Sequence, residues 1–491
     1  MNRIRQFAGQ TVIYGLGHIL SRILFFLLIT VYLTYRLKDQ YQYGIYTDLY
    51  AYVSLLIILF SLRMDTAFFR FGSKAENKDF AFSTAIFPVF ISSLVLLILG
   101  FIFAKPIAAA LYYPDSPHYV RWFSLILAFD ILSLLPYARL RLKNKARFFV
   151  YCKVFNVIFT IALVMLFLEI IPREKLGTGA LFFIPALAYD IDYVFLANLI
   201  ASIAVFIILL INLGPIAIRI NKDLLRKMLY YSFPLIVVGV FGSFNQFFAV
   251  PLQKYFLGED VVNNISNGGV YGASQKIASI FLLFTTAFNY AAEPFFFNNA
   301  SADDRKALYG KICRLFVLIG GLLILIIFLG IDLFQLLVDQ SFREAIFVVP
   351  ILLMAYLFLG IYYNISIWYK LSDKTVYGAL ISFIGVVITL FISLIYLPKI
   401  GYVASAWAAL LTFLTMVLLA YSIGQKLFPI SYPVKKILLN ILVIVFLMFA
   451  SVYLGNLIGN PVRYLINGLL LVAYIYYVWE SEKEEWKGLY Q

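Results

Sequence analysis

Residues 62–73 read LRMDTAFFRFGS and place Arg63, Asp65 and Arg70 directly after GIYTDLYAYVSLLIILFS, a run apolar enough to sit in lipid. One charged side chain deep in a bilayer costs about 2.5–3.5 kcal/mol on insertion scales. Either the chain has left the membrane at this point, or the charges have work to do. Arg63, Thr66 and Arg70 fall at helical spacing and are expected on one face. His18 and Arg22 share a face of the first apolar span in the same way, and Arg22 lies too deep for easy snorkelling. Asp130 falls near the middle of the fourth span, and the eighth carries Lys276 and ends in Glu293-Pro294. Guanidinium groups keep their charge and bind phosphate oxygens through paired, directional hydrogen bonds. Arg22, Arg63, Arg70 and Lys276 facing one wet chamber would therefore select an anionic, phosphorylated substrate. Asp65, Asp130, Glu293 and His18 would balance that charge or couple transport to an ion gradient. Simpler roles stand beside these. Arg22 could pair with a neighbouring helix through Asp130, Arg70 could anchor the chain at the surface, and Lys276 could snorkel. Glu293 could mark a helix boundary and His18 a helix–helix contact. Asp190 and Asp192 are read as a wetted helix end.

The elements that must position these groups follow from composition. Of 491 residues, 63% are hydrophobic and 13% charged, and the mean hydropathy is +0.92. Soluble domains have roughly 45–50% apolar and about 25% charged residues. The apolar runs are near 20 residues long, which implies helices rather than barrel strands. Fourteen such spans are expected. The first lacks a small-residue cleavage site and is read as a membrane helix, not a removed leader. Cys152 and Cys313 are isolated and suggest neither a disulfide framework nor a metal site.

The net charge of +14 reflects topology rather than nucleic acid. With the N-terminus inside, 27 of the 39 lysines and arginines fall in cytoplasmic connections or tails, and nine fall in outer connections. That bias over short loops sets the orientation, with both termini cytoplasmic, and it brings contact with anionic lipid. The link with Arg139, Arg141, Lys143, Lys145, Arg147 and Lys153 is the richest.

A faint repeat crosses the chain. Gly44-Ile45-Tyr46 opens the second span and Gly269-Val270-Tyr271 the eighth, and the link YARLRLKNKARFF resembles YNISIWYKLSDKTVY at a similar shift. Spans one to six thus map onto seven to twelve in the same orientation, a parallel repeat with the substrate site between its halves. The expected architecture is all-α. Two six-helix lobes (1–220 and 221–425) surround a central cavity, and two further helices with a cytoplasmic tail follow (426–491). No GxxxxGK[ST] loop, HExxH or nucleophile setting occurs, no loop can house a soluble catalytic domain, and two distant histidines make no metal cluster. Neither enzymatic activity nor a cofactor is expected, beyond coupling to a proton or sodium gradient.

The stretch GQTVIYGLGHILSRILFFLLITVYL, followed by YGIYTDLYAYVSLLIILFSLRMDTAFFRF, resembles bacterial oligosaccharide flippases of the O-antigen (Wzx) type, most specifically over residues 8–73. These flippases belong to the larger group that contains lipid II flippases and multidrug-and-toxin extrusion antiporters. The resemblance implies a V-shaped pair of six-helix lobes plus two extra helices in the bacterial inner membrane. It also implies an undecaprenyl-diphosphate-linked oligosaccharide moved to the outer leaflet for lipopolysaccharide or other surface polysaccharide. Partners would be that lipid-linked substrate, membrane lipids, and assembly proteins such as a polysaccharide polymerase. Family members place arginines from the first two helices of a lobe in the cavity, and Arg22 with Arg63 or Arg70 fits those positions. The first helix departs from the pattern. It reads LLITVYLTYRL where relatives carry a proline before the tyrosine, so a proline bend is not implied. The alternative reading is a cation-coupled drug or metabolite antiporter of the same fold, which would need acids to dominate its cavity.

Overall fold

A computed structural model describes residues 20–72, 78–143, 145–172, 186–213, 220–258, 260–298, 305–372, 374–458 and 460–487. Every regular element among them is helical. Lipid offers backbone N–H and C=O groups no partners, and a helix satisfies them within its own segment. Among the described residues, thirteen helices are long and apolar enough to cross a bilayer. The expected eighth span, near residue 280, consists of two helices, Val261–Ala278 and Ile280–Asn298, that meet at Ser279. The protein is a multi-pass helical membrane protein. Its outward-facing side chains agree with that: Ile211, Leu465 and Phe449 are 74%, 69% and 69% exposed, which only a lipid environment makes favourable.

The chain packs as two units, residues 1–269 and 270–491. In the first, α1 is Leu20–Leu37, α2 Gln40–Ser61, α3 Met64–Gly72, α4 Lys78–Ile102, α5 Ala104–Ala110 and α6 Pro117–Leu142. Then come α7, Ala146–Ile170, α8 Asp190–Leu213, α9 Lys222–Phe247 and α10 Ala249–Phe256. Helix α11, Val261–Ala278, begins in this unit and ends in the next. The core lies where α3, α4 and α6 meet, around Met64, Phe68, Phe82, Leu127, Ile131 and Leu135, and Met228 of α9 closes it. The repeat divides the sequence at 220, whereas packing divides it after Gly269, because α9 lies along α2, α3 and α4, and α10 lies on α2.

In the second unit, α12 is Ile280–Asn298 and α13 Arg305–Leu329; α14 is Gln340–Tyr369 and opens with a 3-10 turn. The remaining helices are α15 Thr375–Ile400, α16 Val403–Leu427, α17 Val434–Ile458 and α18 Asn460–Lys487. Helix α16 packs on both α14 and α15. Trp368 Nε1 donates to the Ala420 carbonyl at 3.1 Å, and the Thr389 and Thr412 hydroxyls bond at 2.9 Å. The last two helices, which have no counterpart in the repeat, dock on α13. The Tyr474 hydroxyl bonds the Leu318 carbonyl and Asn440 Oδ1, each at 3.0 Å, and Asn467 donates to the Leu329 carbonyl at 2.8 Å. Gly321 makes this docking possible, since a Cβ there would collide with the Tyr474 hydroxyl and the Ile444 side chain.

Gly321→Val is therefore expected to destabilise the protein by about 1–3 kcal/mol through overpacking. Gly468→Ala, where a Cβ meets nothing within 4 Å, serves as the control and should not lower stability. Thermal unfolding of the two purified variants in detergent checks this.

Candidate functional site

Helix α2 starts at Asp39, whose carboxylate accepts from the Tyr41 and Gln42 N–H groups, and ends at Ser61. The next two residues, Leu62 and Arg63, both take left-handed backbone conformations, with φ of 53° and 50°. Such non-glycine residues cost of order 1–3 kcal/mol each. What holds them is the next helix, since Met64, Ala67 and Phe68 of α3 are completely buried. The break corrects one expectation. Arg63 lies in the break, before Met64 starts α3, and so does not share a helix face with Thr66 and Arg70.

The Arg63 guanidinium lies against the backbone of α9 at Gly239, where a Cβ would sit 2.7 Å from Nη2. Its Nε is buried and has no hydrogen-bond partner among the described residues. Asp65 is half-buried and forms no ion pair with Arg63 among those residues, so it does not neutralise that charge. Arg70, exposed near the end of α3, stacks over Tyr231 of α9 with Cζ 4.3 Å from the ring centre.

A second group lies within the same unit. Arg22, exposed near the start of α1, acts electrostatically on Lys153, as does Asp130 of α6. Asp130 lies beside Ser202 of α8. Lys153 belongs to α7 rather than to the preceding link, and its Nζ sits 4.1 Å from the centre of the Tyr137 ring. The apolar residues on both sides of it, FFVYC and VFNVIF, are the signal that it lies inside a span. Lys153 is thus a further cation inside the spans in the neighbourhood of Asp130. Beyond Arg22, α1 widens into a π-helical segment, Leu27–Tyr32, where relatives were expected to carry proline. Such segments recur at functional sites.

Lys276 is half-buried near the end of α11 and belongs to the second unit, and Glu293 lies in α12 of that unit. The side chain of Glu293, and His18 altogether, lie outside the described residues. The structure thus gathers Arg63 and Arg70 against α9, and Arg22 with Asp130 around Lys153. Among the described residues no group of three His, Cys, Asp or Glu side chains could hold a metal ion.

Other charges are structural. Asp192 is not wetted: it is 1% exposed, accepts from the Tyr119 hydroxyl at 2.5 Å and from the Tyr189 N–H at 3.1 Å. Asp190 pairs with Arg36 at 3.3 Å. Arg139 donates to Asp79 at 2.7 Å and to the Leu213 carbonyl at 2.9 Å, which ties α6 to α4 and α8. A pocket of about 50 Å³ lies beside it, lined by Lys143, Lys145 and Asn212 among others.

Helices of this number and packing, with cations set inside the spans, define a membrane transporter fold. Structural comparison agrees. A lipid II flippase, MurJ, in an inward closed conformation matches with a TM-score of 0.70 at 17% identity, covering 96% of this chain and 99% of that one. An inward-facing multidrug resistance MATE family transporter of the MOP superfamily matches at 0.61 and 10% identity, covering 85% and 96%. A MOP superfamily transporter from Pyrococcus furiosus matches at 0.57 and 12% identity over 85% and 96%. Comparison with curated proteins gives no match. The family described as polysaccharide biosynthesis protein matches residues 8–300, more than half of the chain, and the chain belongs to that family.

Asp192→Ala should destabilise the fold by about 1–3 kcal/mol, because it strands the buried Tyr119 hydroxyl. Asp190→Ala, which removes a partly exposed ion pair, should cost less than about 1 kcal/mol. Equilibrium unfolding of both variants distinguishes a buried structural acid from a wetted helix end.

Proposed function

We propose that this protein flips a polyprenyl-diphosphate-linked oligosaccharide from the cytoplasmic to the outer leaflet of the bacterial inner membrane, for assembly of a surface polysaccharide. Arg63 carries the reading. Its guanidinium is built into a strained break of a membrane span, with a buried Nε that meets no acceptor among the described residues. A diphosphate supplies acceptors in the geometry that a guanidinium matches. Membership of a polysaccharide biosynthesis family supports a glycan-linked substrate, and the fold shared with a lipid II flippase supports a lipid-linked one.

In this mechanism the main barrier is stripping water from the diphosphate. Fixed cations offset it because they need no reorganisation when the head group arrives. Arg63 grips the anion, and Arg70 and Arg22 extend the positive field along its path. The polyprenyl tail stays in lipid throughout, and no covalent bond is made or broken. Three acids in the first unit's spans have cationic neighbours: Asp130 has Lys153, Asp48 has Lys254, and Asp79 has Arg139 and Lys143. That disfavours a cationic drug as substrate. Coupling to a proton or sodium gradient through Asp130 belongs to the same proposal.

In a deletion strain complemented at equal membrane abundance, Arg63→Ala should lower surface polysaccharide export by about tenfold or more, the loss of a charge-assisted contact of about 1.5–3 kcal/mol. Arg63→Lys should restore only part of it. Gly239→Ala should impair export at equal membrane abundance, because the added Cβ would sit 2.7 Å from Arg63 Nη2 and must displace that guanidinium, with Ile58 Cγ2 at 2.9 Å also giving way. Gly242→Ala, where a Cβ meets nothing within 4 Å, should export normally. Full export by Arg63→Ala, with no lipid-linked glycan accumulating, would refute the reading.

A further inference from the structure

Lys254 and Asp48 form an ion pair that is wholly shut off from its surroundings. Nζ and Oδ2 are 2.6 Å apart, and both side chains are 0% exposed. The pair joins residues 206 positions apart, Lys254 on α10 and Asp48 on α2. Lys254 also donates to the Leu111 carbonyl at 3.2 Å, and the Tyr113 hydroxyl donates to the same carboxylate oxygen at 2.9 Å. The rings of Tyr52, Tyr113 and Tyr255 surround the ammonium at 5.0–5.2 Å. The other carboxylate oxygen, Oδ1, is buried with no partner among the described residues. The pair is thus tightly held but incompletely satisfied.

Its position in the chain matters as much as its burial. Asp48 lies about 12 Å along α2 from Gln40, toward the end away from Arg63. On the charge-bias orientation that end faces the outside, and Arg63 faces the cytoplasm. Asp48, Leu111 and Tyr113 belong to the first sequence repeat, whereas Lys254 belongs to the second. The same two segments also meet backbone to backbone. A Cβ on Gly44 would collide with the Ile265 carbonyl, and one on Gly269 would lie 2.9 Å from the Gly44 nitrogen. Gly44 and Gly269 are the equivalent glycines of the two repeats, and their lack of side chains lets α2 and α11 touch here.

We propose that the Asp48–Lys254 pair, with Asp48 one helical turn inward of Gly44 and its contact with Gly269, is the latch that closes the outer end of the transport path. This rests on the flippase reading. A head group released outward must part the segment 40–48 from the segment 254–269. Parting them separates a buried ion pair, and each charge must then be hydrated. Removing one partner leaves a buried charge uncompensated, which favours the open state in which water reaches it. The latch keeps the outer end shut while Arg63 is loaded from the other side.

The test uses the full-length protein in intact cells with a membrane-impermeant maleimide. Ile265→Cys is the reporter, because Ile265 is 1% exposed and abuts Gly44. The native Cys152 and Cys313 are both buried. The reporter alone should label slowly. Adding Asp48→Asn or Lys254→Met should speed labelling at residue 265 by about tenfold, as expected for a shift toward the open state. Unchanged labelling, or labelling that appears only after the cells are lysed, overturns the proposal. If either variant unfolds the protein, Cys313 in the second unit reacts as well once the cells are lysed. Tyr113→Phe, which takes only one hydroxyl from Asp48, then decides: faster labelling at residue 265 with Cys313 still protected supports the latch, and no change at residue 265 overturns it. Labelling requires no substrate, so it reports on the latch even if the flippase reading fails. A failed latch likewise leaves the Arg63 export result standing.

Discussion

A charge that cannot reach bulk water must find an opposite charge, a polar cage or a ligand, and the first unit is organised around this constraint. Several of its interior cations meet the requirement internally. Lys254 has Asp48, the Leu111 carbonyl and three tyrosine rings; Arg139 has Asp79, the Leu213 carbonyl and the face of Phe82 at 4.8 Å. Lys153 has the Tyr137 ring at 4.1 Å, with Asp130 in its neighbourhood. Each arrangement joins helices distant in sequence, so the electrostatic need also fixes packing. Arg63 differs in kind. The Arg139 Nε is also buried without an acceptor, but both Arg139 terminal nitrogens are bound, whereas the Arg63 guanidinium makes no hydrogen bond or ion pair among the described residues. An unsatisfied buried group is costly, and a protein that retains one in a strained break has a reason beyond stability. That contrast, more than the number of positive charges, separates a binding cation from a structural one.

The irregular places in the helices follow the same logic. Lipid penalises every unsatisfied backbone group, so departures from regular helix are tolerated where protein or water covers them. Three of several such places are the π-helical Leu27–Tyr32 in α1, the left-handed Leu62–Arg63 pair, and Ser279 between α11 and α12, others including the π-helical Leu166–Ile170 that ends α7. The first lies a few residues beyond Arg22, the second contains Arg63, and the third follows Lys276 closely. Each expected cavity cation from the spans thus lies at or near a point where its helix departs from regularity, apart from Arg70, which ends a short helix at a surface. Regular α-helix would present these side chains at fixed angles; a break re-aims them.

Much of the fold was legible because membrane spans are written locally. Twenty apolar residues are their own signal, and the deviation near residue 280 arose where polar residues, ISNGGVYGASQK, dilute the run. Membership of a polysaccharide biosynthesis family was legible from the opening 65 or so residues, since they carry its most specific pattern. The individual site was less legible. Arg63 stood out by its position after an apolar run, but the break that detaches it from the face of Arg70 depends on Met64 being drawn into a core formed by α4 and α6. Nothing in the sequence near Lys254 or Asp48 signals their pairing, and Asp192 reads as solvated, because pairing across 206 or 73 residues leaves no local trace. Lys153 was the exception: apolar residues on both sides placed it inside a span, and a count of loop charges obscured it.

The two ways of dividing the chain bear on what moves. The repeat cuts at 220, by descent of sequence pattern; packing cuts after Gly269, by contact. They differ because α9, α10 and the start of α11 follow the sequence cut yet rest against α2, α3 and α4. The contacts along this segment differ from one end to the other. The start of α9 is held by apolar burial, with Met228 in the core beside Phe82 and Leu135 and with Leu224 and Leu225 packed against it. From Gly239 onward the segment also carries an arginine lying on a glycine, a closed ion pair and two close-approaching glycines. Hydrophobic area resists separation in proportion to its extent, whereas a small set of polar contacts can exchange for water almost at once. The stretch from Gly239 through α10 to α11 is therefore where a change of shape would disturb that core least.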